Sequence, residues 1–439
     1  MLRAAAQRLE AQELIAGVAA ALLALSPAIA KAQVAPATQA ATDPAVEART
    51  TTLIAVLGGA PGYDSLFAPV FRQAVPEPRF TALAGQLRAT LGTPRRIARL
   101  DPIGRWAANV TIAYDRGSAT MRIALDPAAP HAVTGLLITG TTLADDTPAK
   151  VQADLAKLEG IAQLGVYALD GAQPVATLAV KDDTPAPLGS AFKLWVLAEL
   201  ARQVAAGDRH WGDVVPLGSP SLPSGIVQAW PRGAPVTVQT LATLMVSISD
   251  NSATDTLVRL LGRDRVDAMA ARFGASGPVL TTREAFAIKA DPALTAAWTQ
   301  GDAAARRALL TAQAARIDAA TLDPMMFSAG PVASDTVEWF AAPRDMARLL
   351  AYLRDAGPVV RAILAINPGV DPATAARFAY VGYKGGSEPG VLALNVVAQA
   401  KDGRWYAVCG SWHRTDGAVD EPRFLMLVTR ALGLVATRR

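Results

Sequence analysis

Ser190 and Lys193 stand three residues apart at the entrance of the apolar run Leu194-Trp195-Val196-Leu197-Ala198-Glu199-Leu200. If that run is a helix, hydroxyl and amine share one face, a turn apart. Burial of the helix penalises the ammonium form of Lys193 and lowers its pKa. A neutral amine can then take the proton of Ser190 and leave its oxygen nucleophilic. The same residues also fit an N-cap serine followed by a solvated lysine, so the pair needs support from the rest of the chain.

That support comes from two further polar groups. Ser249-Asp250-Asn251 closes an apolar helical segment and precedes a second helix, from Ser252 to about Leu261. Lys384-Gly385-Gly386-Ser387 opens a pair of strand-like segments. Taken in this order, the three motifs resemble the set found in class A β-lactamases and penicillin-binding proteins. The resemblance implies an acyl-enzyme mechanism on an ester, an amide or a β-lactam. Ser190 is then the nucleophile, Lys193 the candidate base, and Ser249 the relay between the leaving group and the lysines. Asp250 is expected to accept hydrogen bonds from backbone amides, and Asn251 to offer its amide to Lys193 and to a substrate carbonyl. Lys384 favours an anionic substrate and further lowers the pKa of Lys193 by repulsion. Gly386 allows close approach of the strand edge. The backbone N–H groups of Ser190 and Ser387 are the expected oxyanion hole.

The pattern departs from class A in two places. Gly385 stands where those enzymes carry a threonine or serine, so Ser387 is left to replace that hydroxyl. No Glu-x-x-x-Asn segment for a deacylating base is found, and Glu284 reads as a helix-start residue. A β-lactam would then acylate Ser190 and leave slowly. The segments 337–341, 281–289 and 384–390 look closer to a two-domain subgroup typified by the serine hydrolase of the clavulanic-acid biosynthetic cluster, which makes Glu388 and Trp339 candidate cleft residues. A D-alanyl-D-alanine carboxypeptidase-like enzyme and an acylated sensor that does not turn over are the rival readings.

A Ser-His-Asp arrangement finds little support, with no Gly-x-Ser-x-Gly elbow and His131, His210 and His413 as the histidines. No Cys/His/Asp spacing points to a metal, and no cofactor is expected. The 439 residues carry a net charge of +4 without a dense Lys/Arg run, which gives nucleic-acid binding no support. The partner expected is a small acyl substrate, and the chain is read as a monomer. A single cysteine, Cys409, excludes an intramolecular disulfide and reads as a buried thiol.

These groups need a scaffold, and the chain divides accordingly. Residues 1–32 have Arg3 and Arg8, an apolar stretch and small residues near Ala30, the pattern of a secretory leader. That predicts a periplasmic or secreted protein with no membrane anchor once the leader is removed. Residues 33–50 read as a flexible linker. Residues 51–145 read as a small α+β module similar to the cone-like steroid-isomerase and nuclear-transport-factor (NTF2-like) fold. It has helical spacing at Phe80, Leu83, Leu87 and Leu91, then three strands at 106–115, 119–126 and 131–141. Residues 146–439 read as the hydrolase domain, an α+β fold of the β-lactamase/transpeptidase type. In that reading strands from both ends form one antiparallel sheet around a helical block, with an irregular Ala-rich stretch at 290–330.

Overall fold

A computed structural model describes residues 42–222, 224–328 and 330–436. The expected leader and the linker through residue 41 lie outside them. The rest of the linker differs from expectation, because helix α1 occupies Pro44–Leu57. Asp43 caps it by accepting from the Ala45 N–H, Pro44 takes a first-turn position, and Val46, Leu53, Val56 and Leu57 are buried. Composition hid this helix, since alanine and threonine supply spacing without hydrophobicity. Two short helices, α2 (Tyr63–Leu66) and α3 (Pro69–Ala74), lead to α4 (Glu77–Leu91), which buries Phe80, Ala84, Leu87 and Leu91.

Four antiparallel strands follow in sequence order: β1 (Pro94–Gly104), β2 (Ala107–Tyr114), β3 (Gly117–Leu125) and β4 (Val133–Leu143). The Asp115-Arg116 turn joins β2 to β3, with Tyr114 opposite Gly117. Strand β1 was not anticipated. Its arginines at 95, 96 and 99 interrupt the apolar alternation, and irregular register marks its pairing with β2. Helices and sheet close over one core.

Helix α5 (Pro148–Leu155), capped by Thr147, precedes β5 (Ile161–Ala168) and β6 (Val175–Val180). The helical block runs through α6 (Lys193–Ala205), α7 (Val238–Ser247), α8 (Asn251–Leu261), α9 (Arg263–Arg272) and α10 (Thr282–Ala290). The stretch expected to be irregular holds three more helices, α11 (Pro292–Gln300), α12 (Ala303–Ala312) and α13 (Ala314–Ala319). Asp291 and Asp302 cap the first two, a start signal that the alanine-rich composition obscured. Helices α14 (Pro343–Asp355), α15 (Pro358–Ala365) and α16 (Pro372–Ala375) return the chain to β7 (Phe378–Glu388), β8 (Val391–Ala400) and β9 (Trp405–His413), and α17 (Glu421–Ala436) ends the fold.

The large sheet is antiparallel in the order β7-β8-β9-β5-β6, so both ends of this part of the chain do meet in it. One face packs on the helical block and the other on α5 and α17. Leu194, Trp195, Val196, Leu197 and Leu200 of α6 are all buried, and each such side chain contributes about 1.5–3 kcal/mol. Helix α6 is thereby fixed deep in the core, with Lys193 as its first residue. Strand β7 is an edge, and its open side faces the turn that leads into α6.

Candidate active site

Ser190 lies in a 3-10 turn, Gly189–Phe192, that runs straight into α6. Lys193 is fully buried, and its Nζ donates to the Ser249 carbonyl at 2.6 Å and to Asn251 Oδ1 at 2.7 Å, with Ser249 Oγ at 3.0 Å. A neutral amine has two hydrogens for the two carbonyl oxygens. Its lone pair then remains for a hydroxyl. Burial, reinforced by the neighbouring Lys384, holds Lys193 well below the usual lysine range, while Asp255 and Asp250 oppose the shift.

Ser249 sits between α7 and α8 with φ 60°, a left-handed conformation that costs a serine about 1–2 kcal/mol. Asp250 holds the turn in place. Its Oδ1 accepts from Ala253 N–H, and its Oδ2 accepts from Ile226 N–H at 2.6 Å and Val227 N–H at 2.9 Å. The expected backbone-acceptor geometry of Asp250 is therefore present. Asn251 differs in part, because its Nδ2 donates to Leu222 O at 2.9 Å, leaving one amide hydrogen free of that bond.

Lys384 is also buried. Its Nζ lies 3.0 Å from Ser249 Oγ and 2.6 Å from Gly385 O, and burial holds its pKa down at about 7. Gly386 presses on the serine turn. A Cβ there would lie 2.1 Å from Leu188 O and 2.4 Å from Ser190 N, so only glycine allows the strand to come this close. Across the same contact Gly189, at φ +48°, faces Ser387 N. The backbone amides of Ser190 and Ser387 thus flank one seam.

A cavity of about 730 Å³ opens here, a size suited to a small-molecule ligand. Ser190, Ser249, Asn251, Lys384, Gly386, Ser387 and Glu388 line it. Lys193 and Asp250 lie behind that wall. Glu388 reaches the cavity, but its carboxyl is engaged by Lys289 Nζ. Trp339 is a lining residue and a packing residue at once: it stacks on Phe192 with centroids 4.0 Å apart and donates from Nε1 to Leu280 O. Glu284 completes a capping box with Thr281 and pairs with Arg263, as a helix-start residue should.

Glu338 and Lys289 were not anticipated at the site. Glu338 Oε2 accepts from the N–H groups of Gly189 and Trp339, each at 3.0 Å, and Lys289 Nζ lies 3.7 Å from Oε1. Burial first, then the Glu388 carboxyl, pushes Glu338 up to about 8, against the pull of Lys289. An acidic residue inside the apolar run Val337-Glu338-Trp339-Phe340 was the available signal. Among the described residues no group of three potential ligands could hold a metal ion, and no helix is long and apolar enough to cross a membrane.

The fold and these motifs define an antiparallel sheet with a helical block of the β-lactamase/transpeptidase type. Residues 148–360, just under half of the chain, match the model of the Beta-lactamase enzyme family. The match ends before Lys384 and leaves the N-terminal module outside it. Among solved structures, a β-lactamase from Sphaerobacter thermophilus is 19% identical with a TM-score of 0.45, covering 66% of this chain and 98% of its own. A β-lactamase from Chitinophaga pinensis is 15% identical with a TM-score of 0.47, covering 67% and 100%. The penicillin-binding protein PBP-A is 16% identical with a TM-score of 0.44, covering 66% and 94%. No curated protein matches the chain.

Proposed function

We propose that this protein is an exported active-site-serine hydrolase that forms an acyl-enzyme with an ester, an amide or a β-lactam. The observation that carries the reading is the buried amine of Lys193, bound to Ser249 and Asn251 beside a cavity that Ser190 enters. Ser190 Oγ bonds to the substrate carbonyl carbon while its proton passes to neutral Lys193 Nζ. Negative charge on the carbonyl oxygen is met by the N–H groups of Ser190 and Ser387. The bond to the leaving atom then breaks, and that atom takes the Ser249 hydroxyl proton, which Lys193 replaces. Water later attacks the acyl carbon, the bond from that carbon to Ser190 Oγ breaks, and the proton given up by the water passes to Oγ as the acid leaves.

Glu284 is committed to its helix cap, which supports a slow second half-reaction and a long-lived acyl-enzyme. The N-terminal helices and sheet support the two-domain, steroid-isomerase-like subgroup reading, and the leader pattern supports export. Intact mass after exposure to benzylpenicillin and to p-nitrophenyl acetate tests the proposal. The expected result is an adduct of one acyl group on the native protein and none on Ser190→Ala. An adduct that persists on Ser190→Ala, or none with either reagent, overturns it.

A further inference from the structure

The cavity extends beyond the catalytic groups. Successive residues of β7 face opposite sides of the sheet, so Lys384 meets Ser249 on one side while Tyr383 packs with the α17 core on the other. Gly385 keeps the edge between them low. A Cβ at that position would lie 1.9 Å from the Tyr383 hydroxyl, so a threonine or serine there would have to displace this phenol. Past that edge the lining becomes mostly apolar, with Tyr383, Leu392, Leu394, Leu425 and Leu137 gathered beside Glu421.

Leu137 belongs to the N-terminal module. Leu136 and Ile138 pack against that module's core, and Ile138 also reaches the cavity, whereas Leu137 is 59% exposed and lines the cavity from the strand's other side. Helix α17 packs against β4 and brings Leu425 to the same lobe. A lone exposed leucine is unremarkable. One that completes an apolar lobe continuous with a nucleophile is a binding wall.

We propose that the substrate carries an aliphatic chain beside its scissile ester or amide, and that the N-terminal module forms one wall of the chain's site through Leu137. The proposal rests on the acyl-serine reading above. The module thereby acts in substrate selection, and small acyl groups are poor substrates. Each methylene that reaches the lobe raises kcat/KM by about fourfold.

The test measures kcat/KM on p-nitrophenyl esters from acetate to decanoate and on acetate esters of alcohols of the same chain lengths, for the native protein, Leu137→Asp and Leu425→Ser. Intact mass is followed in parallel. A rise with chain length in one series, with the decanoate-to-acetate ratio or its alcohol counterpart falling at least tenfold in Leu137→Asp, is the expected result. Leu137 is largely exposed, so its replacement leaves the core alone. A flat profile in both series while Ser190 is still acylated, or an unchanged slope in Leu137→Asp, overturns the proposal and leaves the acyl-serine reading standing. No adduct with any ester or with penicillin overturns the two together.

Discussion

Lys193 and Lys384 share one hydroxyl: each amine lies 3.0 Å from Ser249 Oγ. A hydroxyl has one proton to give, so it can donate to one amine while accepting from the other. The arrangement is a proton path with Ser249 as its middle member. Ser249→Ala cuts the path but leaves Ser190 and the cavity in place. We expect the acylation rate to fall about a hundredfold, within the range for removal of a positioned proton carrier. Burst-phase release of p-nitrophenol measures it, and an unchanged burst rate would remove Ser249 from the mechanism.

Lys384 gives a pH dependence that differs between substrates. With its pKa near 7, the amine is cationic below neutrality and uncharged above it. An anionic substrate such as a penicillin should therefore show KM rising above about pH 7, while a neutral ester shows no such rise. Parallel KM profiles from pH 6 to 9 decide the matter. Identical profiles for the two substrates would exclude charge on Lys384 as the cause.

The same burial makes Lys384 a stability cost. Its ordinary pKa is 10.5, so the unfolded chain binds a proton between pH 7 and 10.5 that the folded chain does not. Stability must then rise with pH across that window. Lys384→Met abolishes activity and removes this contribution to the slope. Lys193 contributes a slope of the same sign, since its pKa is also lowered. Thermal unfolding of the native and Lys384→Met proteins from pH 7 to 10 reads the difference.

Local chemistry was legible in the sequence, and long-range closure was not. Ser190 and Lys193 stood out as a hydroxyl and an amine one turn apart on an apolar helix, and Ser249 and Lys384 because their motifs follow that pair in an order that resembles a known family. Strand-like runs were visible at both ends of the hydrolase region, but their joining in one sheet was implied by the family resemblance rather than by the residues themselves. Glu338 and Lys289 did not stand out, since their meaning depends on a contact spanning 149 residues between Glu338 and Gly189. Helices α1 and α11–α13 were hidden because alanine packs into helices without a strong apolar stripe. Leu137 looked like an ordinary strand residue until α17 closed beside it.

Glu338 is the last test of how the serine turn is held. Its Oε2 accepts from Gly189 and Trp339, and Lys289 links it to Glu388 at the end of β7. One carboxyl therefore ties the turn before Ser190 to the strand that carries Ser387. Glu338→Ala leaves two backbone N–H groups without this acceptor, at about 1–3 kcal/mol each, and should lower both the melting temperature and the acylation rate by at least tenfold for the latter. Glu338→Gln keeps a carbonyl oxygen for both donors and should acylate within about threefold of the native rate. The native carboxyl, raised from 4.5 to about 8, binds a proton in the folded state that the unfolded chain has already lost, so native stability falls as pH rises from 4.5 to 8. Glu338→Gln should lose that contribution to the fall. If the glutamine variant instead acylates at the native rate but accumulates the adduct, the carboxyl moves a proton in deacylation as well as holding the turn, and time-resolved intact mass separates the two outcomes.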